Sequence, residues 1–257
     1  MRHAFPMFKV VGWLAVLLMS SCSSTNRMLK ARPLKLSAFF EEPGQVIDSR
    51  KKLPFHKIWM TSDKELEALV VKKTELFIAP VNTQHLRPVK KALMRNEIAV
   101  GSIDRREEAL AHQLKDEFAK AFSKSPHPRY RVVEQPGPNS LTLELALVEL
   151  NPTSPKGNAV KTALEFVVGP LALLGGYFTI GNIAIEGKVR DSQSGKLFFQ
   201  FADNESDKLT FLCLRDFKPY GHSAHAMHQW AEQFELMTRT PVGQIIKDTH
   251  FFTLMPY

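Results

Sequence analysis

His222, His225 and His228 stand three residues apart, and imidazoles at such spacing can ligate a metal or act as general bases. Steps of three drift around a helix, so two of them could share one metal, with His250 as a third ligand. Metal centres need convergent ligands held by further hydrogen bonds. No cysteine or carboxylate stands near these histidines at a diagnostic spacing, so neither a metal nor a cofactor is assigned. A hydrolytic site drawn from His222, His225 and Glu186 is the alternative kept open. No catalytic residue is assigned. Gly221-His222-Ser223 lacks the second glycine of a nucleophile elbow, and the phosphate-loop, dinucleotide and zinc-protease patterns are missing. Spatial triads leave no local trace, so these gaps do not exclude an enzyme.

The two cysteines, Cys22 and Cys213, are too few for a disulfide-stapled scaffold. Cys22 follows a telling order of residues. Arg2, His3 and Lys9 are basic, residues 10–19 form an apolar run, and Ser20 and Ser21 are small. That is the order of a secretory signal, and the run is shorter than the roughly 20 residues that cross a bilayer. Met19-Ser20-Ser21-Cys22 resembles the lipobox of bacterial lipoproteins, departing from it in Met19, where leucine is usual. The resemblance implies a thioether-linked diacylglycerol on Cys22, usually with a third acyl chain, so that membrane lipid is the partner. Ser23 in place of aspartate implies the periplasmic face of the outer membrane rather than retention at the inner one. The plainer alternative is an ordinary cleaved signal with an incidental cysteine. Cys213, in the apolar stretch Phe211-Leu212-Cys213-Leu214, reads as a buried, inert thiol.

The formal charge of +8 and a pI near 9.4 describe a basic chain, and Arg50-Lys51-Lys52, Lys72-Lys73, Lys90-Lys91 and Arg105-Arg106 cluster that charge. In an envelope compartment nucleic acid is not the expected partner. Anionic lipid or glycan fits, and so does a solvated surface. Residues 166–185 carry no charge. Gly169-Pro170 and Gly175-Gly176 interrupt the run and argue against a spanning helix. Phe166, Val167, Leu171, Leu173, Leu174, Tyr177 and Phe178 form a candidate interaction segment. Core burial, membrane insertion and contact with another copy or an envelope protein all suit it.

These residues need a frame. Ser62-Asp63-Lys64-Glu65 has capping-box form and opens a helix to about Val70; residues 74–81 read as a strand. Asp104 with Glu107 forms a second box, opening a helix to about Ser123 with Leu110, Leu114, Phe118 and Phe122 on one face and an Asp116–Lys120 pair outside. Residues 130–134 are a short strand. Leu141, Leu143, Leu145 and Leu147 alternate with other residues as in a half-buried strand. Residues 183–189 and 197–201 read as a hairpin around Gly195. Residues 223–238 form an amphipathic helix with Ala226, Trp230, Phe234 and Met237 on its stripe. The order predicts an α+β fold, a mixed or antiparallel sheet of about five strands with helices packed on it. The chain divides into a signal over 1–21, an acylated cysteine and tether over 22–53, and a single domain over 54–257.

Leu76-Phe77-Ile78-Ala79-Pro80-Val81, Tyr130 to Pro138, Ile183 to Gly195 and Gln229-Trp230-Ala231, in that order and spacing, resemble a bacterial lipoprotein family, domain of unknown function 3313, over about residues 50–240. The family brings no established activity and no functional residues. The reading expected of the whole chain is an envelope lipoprotein that binds or scaffolds another component, as a homo-oligomer or with an envelope protein partner, with a periplasm-facing hydrolase as the alternative.

Overall fold

The computed structural model describes residues 35–49, 52–88, 103–151, 182–206, 220–241 and 243–246. In chain order these hold β1 (Ile47–Asp48), β2 (Lys57–Met60), α1 (Lys64–Lys72), β3 (Glu75–Ile78), α2 (Ile103–Lys124), β4 (Arg131–Val133), β5 (Ser140–Asn151), β6 (Asn182–Asp191), β7 (Leu197–Ser206) and α3 (Gly221–Arg239). The seven strands make one mixed sheet in the order β1-β2-β7-β6-β5-β3-β4. β3 runs parallel to both β4 and β5, and the remaining pairs are antiparallel.

The fold is α+β as expected, but about five strands becomes seven. The five read from the sequence are all present. The two missed are β1 and β2 at one edge. β1 has only two residues, and β2 (Lys-Ile-Trp-Met) alternates too weakly to stand out. β2 exists because β7 offers its free edge, with Met60 opposite Phe199 and Lys57 opposite Ala202, and β1 pairs in turn with β2.

Side-chain periodicity sorts the sheet into two faces. Leu141, Leu143, Leu145 and Leu147 of β5, Ile183, Ile185 and Val189 of β6, and Phe199 and Phe201 of β7 face α2 and α3, forming the main core. α2 contributes Leu110, Leu114, Phe118 and Phe122; α3 contributes Ala226, Trp230, Ala231 and Phe234. Gly187 belongs here for a steric reason: a Cβ on it would lie 2.2 Å from the Phe201 ring. That ring is itself wedged between Phe55 at 4.4 Å and Phe234 at 5.3 Å, centroid to centroid.

Local chemistry fixes the helix ends, with some shifts from expectation. The first cap is Asp63 rather than Ser62: its carboxylate accepts from the amides of Glu65 (3.0 Å) and Leu66 (3.1 Å). α2 starts at Ile103, so Asp104 lies inside the helix. Lys120 pairs with Glu117 at 3.2 Å, three residues back, rather than with Asp116. At the β6–β7 turn Gly195 takes φ +69°, the left-handed conformation expected of it.

Candidate functional site

The sheet's second face is covered by the chain's own N-terminal segment. Residues 35–45, within the stretch expected as tether, cross it as a strap before β1 joins the edge. Ser37 seats the strap on β6. Its amide and hydroxyl donate to the two carboxylate oxygens of Glu186 at 2.7 and 2.6 Å. Phe39 then buries its ring against Ala146, Val148 and Ala184, small side chains that leave room for it. The Lys188 ammonium lies 4.0 Å from the centre of that ring, a cation–π contact. β5 is consequently buried on both faces along its second half, although its alternation suggests one wet face.

Glu41 completes the attachment. Its amide donates to Gln200 at 2.8 Å. Its carboxylate takes Lys188 at 2.9 Å and also Arg190, while Glu144 takes the same two cations at 3.2 and 3.4 Å. Burial works to raise the Glu41 pKa, but hydrogen bonds and charge from Lys188 and Arg190 prevail and hold it below the usual value. Two carboxylates and two cations thus alternate across β5, β6 and the strap. With Lys188 almost wholly buried, its charge must be matched locally.

Two further polar clusters brace the frame. Under α3, Asp203 accepts from the Trp230 indole at 2.7 Å and from the His56 amide at 3.2 Å, and pairs with His56 Nε2 at 3.1 Å. All three side chains are buried, so this cluster ties the β1–β2 connection to α3. At the start of β5, Lys73 pairs with Asp191 at 2.6 Å and donates to the Pro138 carbonyl at 2.5 Å. Burial favours the neutral form of Asp191. Hydrogen bonds from Lys73 and Ser194, together with the Lys73 charge, outweigh it and keep the pKa low.

The hydrolytic alternative does not assemble. Glu186 faces the strap, while α3, with its histidines, lies across the sheet against the Ile185 face. Register explains this: consecutive strand residues point to opposite faces, and Ile185 takes the α3 side. His228 sits between Glu117 at 2.9 Å and Glu232 at 3.3 Å on the helix surface. Among the described residues no group of three or more His, Cys, Asp or Glu side chains is placed to hold a metal. Among them, too, no helix is long and apolar enough to cross a membrane. Cys22, Cys213, His250 and the interaction segment Phe166, Val167, Leu171, Leu173, Leu174, Tyr177 and Phe178 lie outside the described residues, as does the His222 side chain.

Sequence reasoning missed Ser37, Phe39 and Glu41. The signal was on the other partner: Glu186, Lys188 and Arg190 put three charges at alternate positions along β6. Such a face needs either water or matching charges laid over it.

These features define a class: an α+β domain with helices on one sheet face and its own N-terminal strap on the other. The chain belongs to the family described as "Protein of unknown function (DUF3313)", whose model matches residues 68–234. The strap lies before that matched region. Among solved structures, the chain is similar to a PelC dodecamer from Paraburkholderia phytofirmans, with 7% identity, 69% of this chain and 96% of that chain covered, and a TM-score of 0.38. It is also similar to protein XCC0632 from Xanthomonas campestris, with 11% identity, 65% and 85% covered, and a TM-score of 0.37. Among curated proteins none matches the chain.

Proposed function

We propose that this protein is a lipid-anchored component of the bacterial cell envelope, held through acylated Cys22 at the periplasmic face of the outer membrane, with a binding or scaffolding role. Residues 1–21 are removed as the signal. Acyl chains on Cys22 bury about 0.8 kcal/mol per CH₂, so two or three chains anchor the chain stably. The observation that carries the reading is the strap. Residues 23–34 separate Cys22 from Lys35, whose carbonyl accepts from Arg87. From there Ser37, Phe39 and Glu41 couple the anchor to the central strands through buried and charge-assisted contacts. A spacer passing into unattached loop would give no such coupling.

On this reading the run from Phe166 to Phe178 is the interaction segment, meeting the bilayer or a second copy. Metabolic labelling with a fatty acid tests the anchor: label enters the wild-type chain and not Cys22→Ser, which moves to the soluble fraction. Equal label in both, or label in neither, refutes the proposal. Crosslinking in detergent tests self-association: ladders that vanish on deleting 166–178, with helix content unchanged, support contact between copies.

A further inference from the structure

We propose that two copies of this chain associate by exchanging straps, residues 35–41 of each copy seating on the second sheet face of the other. The inference goes beyond the envelope reading and does not rest on the anchor at Cys22.

The strap and β1 form an arch. Ser37 lies at Glu186, Phe39 beside Lys188, and Glu41 at Lys188 and Arg190, so the strap runs along β6 in the same direction. β1 is antiparallel to β2, β2 to β7 and β7 to β6, so β1 returns the opposite way at the sheet edge. Residues 42–46 make the reversal. Exchange of an element across such a reversal needs only that the turn straighten, because each seat then receives the same contacts from the other copy.

Little in the turn holds it closed. None of Pro43, Gly44 and Gln45, a single 3₁₀ turn, is buried. The Trp59 indole donates to Gln45 at 3.3 Å in an exposed position. The residue before a proline favours extended backbone, with ψ of about +120 to +160°. In the closed arch Glu42, which precedes Pro43, takes ψ 59° instead. An extended Glu42 sends the strap past the end of its own sheet and toward another molecule.

The strap is also a separable part. Among the described residues it makes no backbone-to-backbone hydrogen bond with a strand. Its Ser37 and Glu41 amides donate to the side chains of Glu186 and Gln200, and its Lys35 carbonyl accepts from the Arg87 side chain. Lifting the strap therefore leaves the β5–β6–β7 ladder whole. The seat it leaves is a slot over Ala146, Val148 and Ala184, between the Glu186 acceptor and the Lys188 and Arg190 cations. A hydroxyl, an aromatic ring and a carboxylate at alternate positions fill that seat, and the strap of a second copy carries all three by identity.

Residues 42–46 span at most about 18 Å when extended, so exchanging copies lie close together at the hinge. There Ile47 and Met60 stand 63% and 52% exposed. They share one face of the sheet, because Ile47 opposes Ile58 and Met60 is two residues further along β2. A neighbouring copy covers them and adds an apolar contact that the closed monomer lacks.

The test uses the full-length protein in detergent under reducing conditions. Light scattering should show a monomer–dimer equilibrium for wild type. Deleting residues 43–45, so that the strap cannot fold back, should tighten it at least tenfold while β5 and β6 amides keep their protection from exchange. Adding Phe39→Ala should weaken the dimer of the shortened chain at least tenfold. Association unchanged by the deletion, or a dimer indifferent to Phe39→Ala, overturns the exchange. A second arm keeps the native turn and so stands if the shortened chain fails to fold. A fluorescent peptide of residues 35–45 should bind full-length Phe39→Ala at least tenfold more tightly than wild type, whose own strap competes for the seat. The same peptide carrying Phe39→Ala should not bind. No binding at millimolar peptide, or equal binding to the two chains, overturns the proposal. The envelope reading survives either failure, because acylation of Cys22 is measured separately.

Discussion

Replacing Ser37 by alanine should loosen the strap without unfolding the domain. The hydroxyl donates to one oxygen of Glu186 at 2.6 Å, and the Glu186 side chain is 1% exposed. Water cannot readily take its place, so the loss approaches that of a hydrogen bond to a charged acceptor, about 1.5–3 kcal/mol. The Ser37 amide, at 2.7 Å on the other oxygen, survives the change and limits the damage. We expect about 2 kcal/mol, close to a thirtyfold change in the strap's opening equilibrium. The Glu41 amide is the right reporter, because its acceptor, Gln200, is untouched. Hydrogen exchange there should speed up about thirtyfold, while β5 and β6 amides keep their protection. Glu186→Gln, which retains an acceptor and a donor, should cost less. Exchange at Glu41 that changes by less than about twofold in Ser37→Ala would show that the strap is held by something else, and the coupling argument would fail.

Asp203→Ala should cost about 3–5 kcal/mol in urea unfolding, because it removes the buried carboxylate that both the His56 ring and the Trp230 indole N–H contact, and Trp230 emission should change with it. Gly187→Ala should cost about 1–3 kcal/mol and disturb the Phe55–Phe201–Phe234 stack, read by melting temperature and aromatic NMR shifts. For Asp191 the sign follows from its lowered pKa. Its contribution is complete above the ordinary aspartate value of about 3.9 and is lost as pH falls through the lower folded-state value. Acid unfolding of Lys73→Met should therefore show a weaker pH dependence over that window than wild type; identical slopes would contradict the pairing.

The helix-facing half of this molecule is plain in its sequence. Four leucines at alternate positions of β5, and Leu110, Leu114, Phe118 and Phe122 four apart in α2, announce their partners because hydrophobic period and burial coincide. The strap-facing half is not. Ser37, Phe39 and Glu41 alternate by two, but a hydroxyl, a ring and a carboxylate share no hydrophobic pattern that would announce the contact, since a strap matches the surface beneath it. β2 is set in the same way by the open edge of β7, and β1 by β2. Glu186 shows the cost of reading chemistry from residue type alone. A carboxylate one residue from Ile185 looks available to the α3 histidines, yet strand geometry sends it to the opposite face.

The most direct test of the anchored account is the intact mass of protein taken from the membrane fraction. The account predicts a chain beginning at Cys22, heavier than its polypeptide by a diacylglycerol and one further acyl group. A chain of unmodified mass, or one beginning elsewhere than Cys22, would contradict it.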